Sequence, residues 1–333
     1  MQHRKSNNLI RKYSVRFGGI LVLVGSMMFV SLPLSAQQPN STQQVNSSND
    51  VPVHMVVTVK PHHGNHVPAV GADDVKVYRG KLQEQVTGWV PLQGDRAGLQ
   101  LFILIDDNAR DSLSLQFRTL VQFIEEQAPT TAVGVGYMRN GTVFTAQDLT
   151  TDHALAAKSL RLPIGGAVGF SSPYLAVSDL MKKWPATKDR REIVMITSGI
   201  DPEGAGFSEN PFNNPYLDEA TARAEKGGFI VYAIYVPTVG RAGRGFFRTD
   251  LAQTGLDLLT QKTGGSAYYL MFGAPVDVSP YLNDISFRLK NQYELTFVAK
   301  AGKKSTLEPV KLRTEMPNMG LISAESGYVG NGM

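Results

Sequence analysis

Apolar and polar residues alternate in two different rhythms along this chain. Val53, Met55, Val57 and Val59 interleave with His54, Val56, Thr58 and Lys60, the period-two pattern of a strand with one buried face. Short strands are also read at Val75–Tyr78 and Val86–Val90, and Pro61 and Gly64 mark a turn between strands. The rhythm then changes. Leu101 to Ile105 is an unbroken apolar run that stops at Asp106 and Asp107, which predicts a strand buried on both faces. Leu113, Phe117, Leu120, Val121 and Ile124 follow at helical spacing.

Strands and helices go on alternating. A strand pair is predicted at Ala132–Tyr137 and Val143–Ala146, and a helical stripe at Tyr174, Val177, Met181 and Trp184. Buried strands follow at Glu192–Ile196, Phe229–Val236 and Ala267–Met271. Helices at Leu217–Glu225 and Leu251–Thr263 are closed by Gly227-Gly228 and Gly264-Gly265. Leu282, Ile285 and Leu289 form the last helix, and strand character returns at Tyr293–Phe297, Pro309–Thr314 and Leu321–Val329. The expected fold is α/β, with a doubly wound, mainly parallel central sheet of Rossmann type. A small accessory β-sheet is expected from the flanking segments, because neither has enough strands to be stable alone.

The amino terminus changes the charge picture. Arg4, Lys5, Arg11, Lys12 and Arg16 precede an apolar core at Gly19–Phe29, and Leu34-Ser35-Ala36 precedes Gln37. This is the pattern of a signal peptide cleaved after Ala36, with an uncleaved anchor as the competing reading. Five of the 33 Lys and Arg residues lie before position 37, leaving 28 against 29 acidic ones. The basic pI therefore belongs to the leader, and a nucleic-acid partner loses its support. Contact with a membrane is expected only in passing, through the signal peptide. With no cysteine, the chain has no disulfide, lipid-anchor thiol or Cys nucleophile. The organisation reads as a signal peptide at 1–36, a polar linker at 37–50, a β-rich prefix at 51–94, an α/β domain at 95–290 and a β-rich tail at 291–330.

The order of elements resembles the von Willebrand factor A domain, and more narrowly the bacterial VWFA-related secreted family. The prefix Gly71-Ala72-Asp73-Asp74-Val75-Lys76-Val77-Tyr78 and the tail pieces Asn291–Phe297 and Ser326-Gly327-Tyr328 carry the resemblance. It implies a secreted or periplasmic module that binds or scaffolds an unidentified protein partner. It also implies a metal-ion-dependent adhesion site with the motif Asp-x-Ser-x-Ser, a Thr from a second loop and an Asp from a third.

Here Asp106 keeps the first carboxylate, Asn108 and Arg110 replace the two serines, Ser171 or Ser172 stands near the Thr, and Ser198 replaces the last Asp. One carboxylate is lost and one cation gained. A degenerate, metal-free site without a cofactor is therefore expected, with Asp106 and Arg110 paired as an ion-paired cap on the first helix. In the functional version of that pair, Arg110 offers its spare donors to a partner's carboxylate. The alternatives are a conventional adhesion domain dependent on Mg²⁺ or Ca²⁺, a shifted weak site using Asp107, Asp111 or Asp201, and a hydrolase whose site is unrecognised.

Candidate partner contacts are Asp107, Asp201, Arg241, Arg244, Phe246, Phe247 and Arg248, most of them in a Gly-rich loop after the strand ending at Val236. That loop lacks the Gly-Lys-Ser/Thr ending of a P-loop. His62, His63 and His66 are read as a polar hairpin turn rather than a zinc site. No Gly-x-Ser-x-Gly or His-Glu-x-x-His is present and His153 is isolated, so no catalytic residue is assigned and no enzymatic activity is expected. Trp89, Trp184, Tyr268 and Tyr269 are assigned to the core.

Overall fold

The computed structural model describes residues 49–109, 113, 116–164, 172–201, 210–236, 246–269 and 277–331; for 246 and 247 it describes the backbone only. The leader, the cleavage position and nearly all of the linker lie outside the described residues.

The α/β part is a six-stranded sheet. Its strands are β4 (Leu99–Asp106), β5 (Thr131–Arg139), β6 (Thr142–Thr150), β7 (Arg190–Thr197), β8 (Phe229–Tyr235) and β9 (Ala267–Tyr269). The spatial order is β6-β5-β4-β7-β8-β9, with every pair parallel except the antiparallel β5–β6. Numbered by sequence, this is the doubly wound order 3-2-1-4-5-6. The strands at 99–106, 190–197 and 229–235 are neighbours in the middle of the sheet, as their apolar runs imply.

Alternation within those runs assigns each side chain to a face. Leu101, Ile103 and Ile105 pack with Leu120 and Ile124 of α1 (Phe117–Glu125), Ala156 of α2 (His153–Lys158) and Leu282 and Ile285 of α6 (Ser279–Lys290). Phe102 and Leu104 point the other way, into α3 (Pro173–Lys182), α4 (Pro215–Gly227) and α5 (Phe246–Thr263). Gly228, with φ 63°, and Gly264, with φ 82°, turn the chain out of α4 and α5, a conformation that costs glycine little.

The accessory sheet is not small. It has seven antiparallel strands against the six of the α/β sheet. They are β1 (Asp50–Pro61), β2 (Lys76–Arg79), β3 (Leu82–Pro91), β10 (Gln292–Lys300), β11 (Thr306–Arg313), β12 (Met319–Ser323) and β13 (Ser326–Val329), in the order β12-β1-β10-β3-β2-β11-β13. Strands from before and after the α/β sheet pair with one another: β1 with β10 and β12, β3 with β10, β2 with β11.

The segment 321–329, expected as one strand, is two, split at Ala324-Glu325. That split closes the sheet. β12 and β13 sit at opposite ends of the strand order, yet only two residues join them, so the sheet has to roll up. Gly327 marks the seam: a Cβ there would lie 3.1 Å from Val53 and 3.2 Å from Val310. Val53, Val57, Val77, Leu295, Phe297 and Val329 fill the roll.

β1 contributes to both cores. Its inward residues line the roll, while Val56, Thr58 and Lys60 face the α/β sheet. Val56 packs on the core that holds Leu282, Thr58 accepts a hydrogen bond from Gln292, and Lys60 pairs with Asp284 of α6 at 2.6 Å. Arg190 fastens the crossing points. It donates to the carbonyls of Ala97 at 3.0 Å and Leu289 at 2.9 Å and to the Gln292 side chain, where the chain enters and leaves the α/β sheet.

The turn holding His62, His63 and His66 is not a hairpin, because β1 pairs with β10 and β12 rather than with the next strand. Asn318 holds it from the tail: the His63 N–H donates to Asn318 Oδ1 at 2.8 Å, and Asn318 Nδ2 donates back to the His63 carbonyl at 2.9 Å. Trp89 stacks on Tyr293 with centroids 4.6 Å apart, and Trp184 packs edge-on against Phe229, both as core side chains.

Candidate functional site at the carboxyl ends of the strands

Ligand sites of doubly wound sheets form where the parallel strands end. Asp106 is the last residue of β4, and Thr197, beside Ser198, is the last of β7, the adjacent strand. Their side chains meet. Thr197 Oγ1 donates to Asp106 Oδ2 at 3.0 Å, and the Asn108 N–H donates to Asp106 Oδ1 at 2.9 Å in a tight turn. The Gly199 N–H donates to Thr197 Oγ1 at 3.1 Å. Asp106 is buried, and burial pushes its carboxyl up against the opposing pull of the bonds from Asn108 and Thr197. Ser198 is also buried and accepts from the Ile200 N–H at 3.4 Å. Ser172 caps α3, accepting from the Leu175 N–H.

Asp107 behaves differently. Its side chain has 0% exposure, so it is not the open partner contact the sequence suggested. Arg161 grips it with two bonds, Nη1 to Oδ1 at 2.7 Å and Nη2 to Oδ2 at 2.9 Å. Arg139 adds Nη2 to Oδ2 at 2.9 Å, and the Ile164 N–H reaches Oδ1 at 3.4 Å. Burial opposes ionisation of Asp107, but the bonds from Arg161 and Arg139 outweigh it and hold the carboxyl below its ordinary range. Arg161 is fixed in turn by Tyr137: its guanidinium lies 3.7 Å from the centre of that ring, and the Tyr137 hydroxyl accepts from its N–H at 2.6 Å.

Among the described residues, the sheet-top carboxylate held by arginine is Asp107, with Arg139 and Arg161 as its partners. Arg110, expected to pair with Asp106, lies outside the described residues, as do Asp111, Ser171, Arg241, Arg244 and the side chains of Phe246 and Phe247. Arg248 is exposed in the first turn of α5. Asp201 accepts a hydrogen bond from Asn214, the residue that caps α4. His153 bonds the Thr131 carbonyl, at the opposite end of the sheet from these carboxylates.

Sequence reasoning missed Arg139, Arg161 and Thr197. Arg139 had a signal. The parallel register sets Asp106 beside Met138, so the next residues along each strand, Asp107 and Arg139, share a face. Arg161 had none, because it comes 54 residues after Asp107 and follows a short helix.

Among the described residues, the donor set suits a divalent cation poorly. Mg²⁺ and Ca²⁺ seek several hard, preferably anionic oxygens. Here one carboxylate is buried with both oxygens occupied, the second belongs to two arginines, and the third position is Ser198. Asp107 cancels one of the two guanidinium charges and leaves the other.

The strand order is that of a doubly wound α/β domain, the fold that the resemblance to the von Willebrand factor A domain implies. Solved structures similar to the chain include an aerotolerance-related membrane protein from Bacteroides fragilis, 17% identical with a TM-score of 0.41, over 58% of this chain and 98% of that one. The conserved hypothetical protein BatB from Bacteroides thetaiotaomicron is 18% identical with a TM-score of 0.41, over 58% of this chain and all of that one. The ArnB paralog VWA2 from Sulfolobus acidocaldarius is 10% identical with a TM-score of 0.40, over 84% of this chain and 76% of that one. No protein-family model and no curated protein matches the sequence.

Proposed function

We propose that this chain is an exported A-type module that binds a protein partner at the carboxyl ends of its strands without a divalent cation, and that its role is binding rather than catalysis. The observation that carries the reading is Asp107, next to Asp106, enclosed by Arg139 and Arg161, which withdraws that carboxylate from any cation. Asp106 supports it, being buried with each oxygen already accepting a hydrogen bond, from Asn108 and from Thr197.

Titration calorimetry with millimolar Mg²⁺ or Mn²⁺ should show no saturable heat, and chelator should leave the melting temperature unchanged. Saturable wild-type binding that vanishes in Asp106→Ala would instead establish the conventional cation-dependent domain. For export, mass spectrometry of the protein from the extracytoplasmic fraction should give Gln37 as the first residue. A membrane-retained chain still beginning at Met1 would show an anchor.

A further inference from the structure

Four of the seven large apolar side chains most exposed among the described residues fall within positions 144–164: Phe144, Leu155, Leu162 and Ile164. Three of them surround the arginine pair. Phe144 is 58% exposed and sits opposite Tyr137 on β6, the edge strand, with the Arg139 guanidinium 5.9 Å from its ring centre. On the other side, Arg161 donates to the Leu162 carbonyl at 3.0 Å, and the Ile164 N–H reaches Asp107. Leu162 is 54% exposed and Ile164 61%. A continuous strip thus runs from Phe144 over Arg139 and Arg161 to Leu162 and Ile164.

The arginines are already oriented. Each guanidinium is held on the same Asp107 oxygen, and both side chains remain about one-third exposed, at 33%. Nη1 of Arg139 has no partner among the described residues. Two fixed arginines over one buried carboxylate present one net positive charge, flanked by apolar groups. Orientation settled before binding removes much of the ordering cost of a new ion pair.

We propose that this strip is the docking surface for the partner, and that the partner presents an acidic–apolar segment whose carboxylate takes the open Arg139 donors while its apolar side chains cover Phe144, Leu162 and Ile164. The proposal rests on the cation-free reading above. Charge decides the class of partner: one net positive charge suits one or two carboxylates and is too little for a nucleic-acid backbone. Strand addition at β6 is disfavoured. Its register against β5 shifts twice, and its Val143 N–H is already taken by Asp179.

The test uses the mature chain and a short fluorescein-labelled peptide alternating Glu with Leu and Phe, followed by anisotropy in chelator. Binding is expected, weakening as salt rises, and absent for the same peptide with Gln in place of Glu. Phe144→Ser and Ile164→Ser leave Asp107 paired, and each should weaken binding about tenfold. Arg139→Gln should weaken it at least as much. Wild-type binding that these substitutions leave unchanged overturns this surface while leaving the cation-free reading intact. Binding that requires Mg²⁺ and is lost in Asp106→Ala overturns both. No binding of the acidic peptide in either condition, or a preference for anionic lipid vesicles over the peptide, overturns the surface.

Discussion

Replacing Arg190 with Met should lower the melting temperature by roughly 10 °C or more, the largest single-residue effect expected in this chain. Arg190 is buried, and its loss leaves the Leu289 carbonyl and the Gln292 side-chain oxygen without their donor, while the Ala97 carbonyl keeps only the bond from Thr130 Oγ1 at 3.4 Å. Each stranded buried acceptor costs about 1–3 kcal/mol. A second cost comes from Glu192. It is fully buried, and neither carboxylate oxygen has a partner of good hydrogen-bond geometry; Gln292 and Tyr232 are the neighbours closest to supplying one. Burial raises the Glu192 carboxyl, and Arg190 is the cation that draws it partly back. A raised carboxyl contributes stability that is present at low pH and lost as pH rises through the folded-state value. Glu192→Gln should therefore flatten the decline in stability at higher pH. The double variant Arg190→Met, Glu192→Gln should be less damaged than the sum of the singles. Strict additivity in chemical denaturation would show that the two side chains do not share one environment.

Asp107→Ala is the second large effect. It removes the common partner of Arg139 and Arg161, leaves the Ile164 N–H without its acceptor and sets two guanidiniums against each other. Breaking a buried ion pair costs about 3–5 kcal/mol. Here about 2–4 kcal/mol is expected, because solvent reaches both arginines and screens part of the interaction. The sign with pH is opposite to that of Glu192. The lowered Asp107 carboxyl contributes stability that is present above its unfolded-state pKa and lost as pH falls through the folded one. Acid denaturation of the wild type should therefore draw on this site, and Asp107→Ala should narrow the gap between its stability at neutral pH and in acid. An acid limb identical to that of the wild type would contradict the pairing.

Much of the architecture was legible in the sequence, and the reason is period. Leu101–Ile105 is apolar at every position because β4 is covered on both faces, whereas Val53, Met55, Val57 and Val59 alternate because β1 turns one face into the roll. The pairing of prefix with tail followed from strand number alone. What stayed hidden was long-range. The closed seven-stranded roll depends on a two-residue break at Ala324-Glu325, set inside a segment that reads as one strand.

The site divides in the same way. Asp106 was singled out because an apolar strand ends there, and Ser198 because of the family motif; the structure sets the two at neighbouring strand tips. The structure adds an ion pair at the next residue, Asp107, while the expected Asp106–Arg110 pair falls on Arg110, outside the described residues. Strand alternation sends Asp106 toward the face of Phe102 and Leu104, and Asp107 toward the face of Tyr137, where Arg139 and Arg161 converge. Arg110 was attractive because it is close in sequence. The observed partners lie 32 and 54 residues away from Asp107, brought in by the parallel pairing of β5 and by the chain after α2.

The central claim is that arginine holds Asp107 and that no divalent cation binds at the sheet top. The most direct measurement is the anomalous difference density of crystals grown in millimolar Mn²⁺. The account predicts no peak within coordination distance, about 2.2 Å, of Asp106 or Asp107, with the Arg139 and Arg161 guanidiniums on Asp107. A Mn²⁺ peak bonded to Asp106 Oδ, with Asn108 or Ser198 as a further ligand, would contradict it.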